Sequence, residues 1–175
     1  MVSVWQGAQG NPTTYTLNGK ITLRYCGYDN AHNLFVDGYS GAKKSDLVFA
    51  ELASGAASLQ PISLSAKVGV PGGVQFDGTY VALQDLKKPY EIYQLQVSGS
   101  SATVVNTVDP GSHFEWVGAM SMIQEYGATI VFLPVDERGA WGTGVYQARF
   151  PYMSNGRFNR AKGRGPYSAV TLSEI

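Results

Sequence analysis

A turn followed by a strand recurs three times along this chain, in the same order and with the same kinds of residue. Gly27-Tyr28-Asp29-Asn30 precedes Leu34-Phe35-Val36, Val74-Gln75-Phe76-Asp77-Gly78 precedes Tyr80-Val81-Ala82, and Ile123-Gln124-Glu125-Tyr126-Gly127 precedes Ile130-Val131-Phe132. A later strand recurs in step, as Phe49-Ala50-Glu51-Leu52, Ile92-Tyr93-Gln94-Leu95 and Val145-Tyr146-Gln147-Ala148. The spacing is roughly 43 to 53 residues, a period at which about four strands per unit build the blades of a β-propeller. One twisted sheet has two faces to cover, so such a unit is stable only against neighbours. An ordinary antiparallel sandwich would use the same strands but gives no reason for the repeated order.

Alternation with period two dominates elsewhere too. Strands are expected at Asn33 to Gly38, Leu47 to Leu52, Gly73 to Phe76, Thr79 to Leu83, Tyr90 to Val97 and Ala102 to Val108. The last two form a hairpin turned by Ser98-Gly99-Ser100-Ser101. Leu59-Gln60-Pro61-Ile62-Ser63-Leu64 reads as one further strand, and its internal proline assigns it to an edge. Gly72 and Gly73 suit a crowded place where innermost strands of adjacent units approach. With 44% hydrophobic and 15% charged residues in 175, the chain can bury a core and is not disordered.

The expected organisation is all-β, with four-stranded antiparallel blades at 19–66, 67–111 and 112–163. Residues 1–18 read as the outer strands of a preceding blade, Val2 to Trp5 and Thr13 to Thr16, and 164–175 as a terminal innermost strand. Three full blades fall short of the roughly 4 to 8 of closed rings, so the chain reads as the C-terminal part of a longer propeller. Joining its two partial ends into a strained four-bladed ring is the alternative. An open arc of this kind is expected to self-associate through exposed blade faces.

Residues 25–38, followed by Phe49-Ala50-Glu51-Leu52 and by Gly69-Val70-Pro71-Gly72-Gly73-Val74-Gln75-Phe76-Asp77-Gly78-Thr79-Tyr80-Val81-Ala82, resemble the blades of NHL-like and lactonase-like bacterial β-propellers. The likeness covers residues 20–110 and extends loosely to Ala140-Trp141-Gly142-Thr143-Gly144-Val145-Tyr146. It implies a propeller fold and a secreted or periplasmic setting. Gluconolactonase-like relatives hold a divalent metal with carboxylates and an Asn at the channel mouth, and no motif of this chain matches that set residue by residue.

Asp29, Asp77 and the region of Glu125 fall at equivalent turns between first and second strands, where turn chemistry accounts for them. Asp37, Asp85 and Asp136 follow the second strands of the three units. They are expected to face one rim together and are the candidate binding residues, although solvated loop carboxylates are the commoner outcome. His32 and His113, the only histidines, have no metal spacing; a loop tip is expected for the first, and an inter-blade connection beside Phe114 and Trp116 for the second. Cys26, the single cysteine, cannot form an internal disulfide and reads as a small buried hydrophobe in an innermost strand. No Gly-x-Ser-x-Gly elbow is present, no catalytic set emerges, and no cofactor or metal is called for.

The neutral total conceals an asymmetry. From Arg138 onward there are six cations (Arg138, Arg149, Arg157, Arg160, Lys162, Arg164) and one anion, Glu174, whereas the rest carries seven cations and twelve anions. Aromatic residues lie between those arginines, yet contact with acidic neighbouring blades is expected of them rather than nucleic-acid binding. The first residues lack a signal-peptide pattern, and no apolar run approaches a membrane span. The sequence therefore predicts a non-catalytic propeller segment that binds a protein or a small molecule. The rival reading is part of a metal-dependent lactonase-like hydrolase.

Overall fold

Alternating β-branched and aromatic residues favour extended backbone, and the chain is all-β. The computed structural model describes residues 1–5, 7, 9–41, 46–111, 114–137, 143–153 and 157–160. Among these no helix is long and apolar enough to cross a membrane. Strands β1 (Val2–Val4) and β2 (Thr13–Tyr15) pair as sheet A. Sheet B runs in chain order through β3 (Ile21–Tyr28), β4 (Leu34–Ser40), β5 (Asp46–Leu52) and β6 (Gln60–Pro61). Sheet C contains β7 (Ser63–Leu64), β8 (Pro71–Phe76), β9 (Val81–Asp85), β10 (Ile92–Ser98) and β11 (Ser101–Val108), ordered β8-β9-β10-β11-β7. Sheet D contains β12 (Phe114–Val117), β13 (Ser121–Glu125), β14 (Ala128–Glu137), β15 (Thr143–Phe150) and β16 (Arg157–Arg160), with β12 and β13 both lying along β14. All pairings are antiparallel except β7 with β11.

The alternation in each second strand builds the layers. In β4, Leu34 and Val36 join Ala50 and Leu52 in a cluster that Val2, Val4 and Tyr15 of sheet A cover. Phe35, on the opposite face, joins Phe49 and packs with Val74, Val81, Leu83 and Leu95 of sheet C. In turn, Ala82, Ile92 and Val108 of sheet C pack with Val131, Leu133 and Val135 of sheet D. Sheets B and C thus bury both faces, which is why β4 opens on the apolar run Leu34-Phe35-Val36 and β9 on Val81-Ala82-Leu83. The Phe35 and Phe49 rings stack at 6.0 Å, and Phe114 meets Tyr146 edge-on at 5.3 Å.

Adjacent sheets approach closely at glycines of β3 and β8. A Cβ on Gly27 of β3 would meet the Val74 carbonyl oxygen of β8 at 2.3 Å. A Cβ on Gly73 of β8 would meet Met120, between β12 and β13, at 2.7 Å. Each contact spans 47 positions, from 27 to 74 and from 73 to 120. The same relation between adjacent sheets is therefore built twice. The register of each first strand is also interrupted once, between Leu23 and Tyr25, Pro71 and Val74, and Phe114 and Trp116.

Two local expectations differ from the structure. The strand expected over 59–64 is two strands: β6 edges sheet B, while β7 edges sheet C. Ile62 supplies the change of partner, its amide bonding Phe49 and the next amide, of Ser63, bonding Ser100. Cys26 is exposed rather than buried, because β3 turns Tyr25 and Gly27 inward and Arg24, Cys26 and Tyr28 outward. Phe114 and Trp116 belong to β12, where Phe114 is buried and anchors the strand. His113 and the terminal strand expected within 164–175 lie outside the described residues.

Candidate functional site

The interrupted first strands free backbone amides that the pleated ladder leaves unpaired, and polar residues of the second strands satisfy them. Asp37, wholly buried in β4, accepts from the Tyr25 amide of its own sheet and from the Gly72 amide of sheet C, both at 3.1 Å. Gln84 of β9 stands 47 positions later and does the corresponding work. Its Oε1 accepts from Gly73 at 3.1 Å and from Met120 of sheet D at 2.8 Å, while its Nε2 donates to the Gly118 carbonyl at 2.9 Å. The same spacing from Gln84 reaches Val131 of β14, which is buried and has no side-chain polar group.

The residue of sheet C that corresponds to Asp37 is therefore Gln84, the neighbour of the expected Asp85. Asp85 accepts from the amides of Gly69 at 2.7 Å, Val70 at 2.9 Å and Lys87 at 2.7 Å. It grips the same 69–72 stretch as Asp37 from the other side. Asp136 pairs opposite Trp116 and Thr143 at the far end of β14 and shares no hydrogen bond with the other two. Burial pushes Asp37 up to about 8, against the opposing pull of the two amides and Arg24. Both Asp37 and Asp85 hold backbone, and neither projects as a free carboxylate.

At the turn ends of sheets C and D a cleft of about 410 Å³ opens. Sheet C supplies Asp77, Thr79 and Tyr80 from the β8–β9 turn, and Gln94 from β10. Asp77 forms this turn by accepting from the Thr79 amide at 2.8 Å and the Tyr80 amide at 2.7 Å, with Gly78 at φ 99° as the turn requires. Its second oxygen accepts from Gln94, whose own oxygen takes the Asn106 amide group at 2.8 Å. Thr129 of β14 donates to the Asp77 carbonyl and accepts from Gln124 at 2.8 Å, joining the two sheets beneath the cleft.

Sheet D supplies Gly127, Ala128 and Thr129 from the β13–β14 turn, and Arg149 and Phe150 from β15, with Pro151 and Tyr152 following. Phe150 is buried, whereas Tyr152 is 75% exposed at the rim and Tyr126, at the adjoining turn, is 98% exposed. Arg149 is exposed and has no hydrogen-bond or ion-pair partner among the described residues. Among the described residues the lining contains no histidine, cysteine or serine. The single carboxylate among them, Asp77, is engaged by three donors, so these residues offer groups for recognition and no nucleophile paired with a base.

The turn residues Asp29 and Asp77 act as expected: Asp29 accepts from the Ala31 and Asn33 amides, both at 2.9 Å. His32, at φ 64°, sits exposed at that loop tip. Among the described residues no three His, Cys, Asp or Glu side chains converge as a metal site would need. Sequence reasoning missed Gln84 and the cleft. Aligning Leu34-Phe35-Val36-Asp37 with Val81-Ala82-Leu83-Gln84 would have found the first; the cleft carries no motif, because its walls come from turns about 50 residues apart. No protein-family model and no curated protein sequence matches this chain.

Proposed function

We propose that the chain is a β-propeller-like segment that binds a small molecule or a protein segment without transforming it. In this reading sheets B, C and D are successive blades and sheet A is the outer part of a preceding one. The 47-residue relation built twice between adjacent sheets supports the blades, as does the resemblance of residues 20–110 to NHL-like and lactonase-like propellers. The observation that carries the binding role is the cleft between sheets C and D. Among the described residues it combines an unpartnered guanidinium, aromatic walls and a locked polar floor, with no catalytic pair.

The test has two arms. Amide shifts are followed by NMR while a panel of small polar and aromatic compounds is added, and lactone turnover is assayed with added Ca²⁺ and with chelator. Shifts confined to the cleft amides without turnover are the expected result. Metal-dependent turnover would replace this reading with the hydrolase one.

A further inference from the structure

We infer that the cleft between sheets C and D selects a small organic carboxylate that also carries a hydrogen-bond donor, an assignment that rests on the cleft being a ligand site. Among the described residues Arg149 is the only cation lining it, and it stands there without a partner. A guanidinium presents parallel N–H groups that match a carboxylate in two-point fashion. Phe150, Pro151 and Tyr152 beside it form a wall that suits a flat apolar body.

The other sheet asks for the opposite chemistry. A carboxylate offers about four acceptor sites, and Asp77 uses three of them, for Thr79, Tyr80 and Gln94. One site is left for a donor on the ligand. A second anionic group on the ligand would meet Asp77, and a neutral ligand would leave Arg149 unused. A monocarboxylate with a hydroxyl on the far side of its ring satisfies both walls. The volume of about 410 Å³ lies within the range of small-ligand pockets.

Three probes separate these terms: 4-hydroxybenzoate, benzoate and phenol, each titrated into the full chain while the amides of Thr79, Gly127, Ala128 and Tyr152 are followed by NMR. The expected order of affinity is 4-hydroxybenzoate, then benzoate, then phenol. Arg149→Ala is expected to weaken 4-hydroxybenzoate about ten-fold or more, the loss typical of one charge-assisted contact, and to leave phenol unchanged; Arg149→Lys recovers part of the loss. Equal binding of phenol and 4-hydroxybenzoate, or an unchanged ratio in Arg149→Ala, overturns the carboxylate assignment while the cleft remains a ligand site. Failure of all three probes to move those amides overturns the ligand site itself.

Discussion

Asp37 leaves its own sheet to accept a hydrogen bond from the Gly72 amide of the next one, at 3.1 Å, with no exposure to solvent. Its other oxygen holds Tyr25 in the strand beside it. One side chain thus ties two first strands together at the place where their ladders are interrupted. Gln84 repeats the tie between sheets C and D with an uncharged group. The pairing of a buried acid with a buried amide at corresponding positions has direct consequences for stability.

Asp37 titrates near 3.8 when unfolded and is held up at about 8 in the fold. Its neutral form is thus favoured inside, and the stability it contributes is complete below about pH 4 and lost as pH rises through about 8. Over that window the slope approaches about 1.4 kcal/mol per pH unit. Asp37→Asn removes it. Urea midpoints at pH 5 and pH 8 are expected to move in favour of the variant, relative to the parent, as pH rises; a difference that stays constant contradicts the buried neutral acid.

Gln84→Leu keeps the bulk and removes the polar atoms, leaving the buried Gly73 and Met120 amides without their acceptor. Each stranded group costs about 1–3 kcal/mol, so a loss of about 3 kcal/mol or more is expected by chemical denaturation. Hydrogen exchange should quicken at Met120 on sheet D as well as at Gly73, because the tie joins two sheets. Protection unchanged at Met120 would show that the tie is dispensable.

Gly27→Ala places a methyl group against the Val74 carbonyl, which is backbone and cannot swing aside. Overpacking of this kind costs about 3 kcal/mol. Gly99→Ala serves as the comparison: nothing lies within 4 Å of its Cβ, and its φ of 56° leaves only local backbone strain, about 1 kcal/mol. Thermal melts should rank the two in that order, and equal losses would mean that sheets B and C are not in backbone contact there.

Cys26 is exposed, yet its partly enclosed position and then the Asp37 carboxylate raise its thiol above the ordinary value. Because the thiolate is the reactive form, iodoacetamide should label the folded protein completely but more slowly than it labels a free thiol at pH 8. Intact mass against time measures this. A rate above that of the free thiol would contradict the raised value.

Strand positions were legible in the sequence because alternation reports burial directly, and the hairpin of β10 and β11 follows its Ser98-Gly99-Ser100-Ser101 turn. Asp29 and Asp77 were legible as turn formers for the same local reason. Gln84 was not legible because it carries no charge and stands one residue before Asp85, and a shift of one residue in a strand changes the face it occupies. Cys26 misled likewise: its neighbours set it outward on β3. The cleft was not legible at all, since Asp77 and Arg149 meet only through the packing of sheet D on sheet C.

The short ribbon of residues 60–64 belongs to two sheets at once, closing the edge of sheet B with β6 and that of sheet C with β7. A stretch copied whole from first strand to last strand would therefore lack the piece that hems its own edge, since that piece is borrowed from the preceding unit. The segment that can be duplicated and the segment that can fold are out of step by a few residues. Sheet C is thus stitched to sheet B by one continuous ribbon, and neither can be lifted out without unpicking the other.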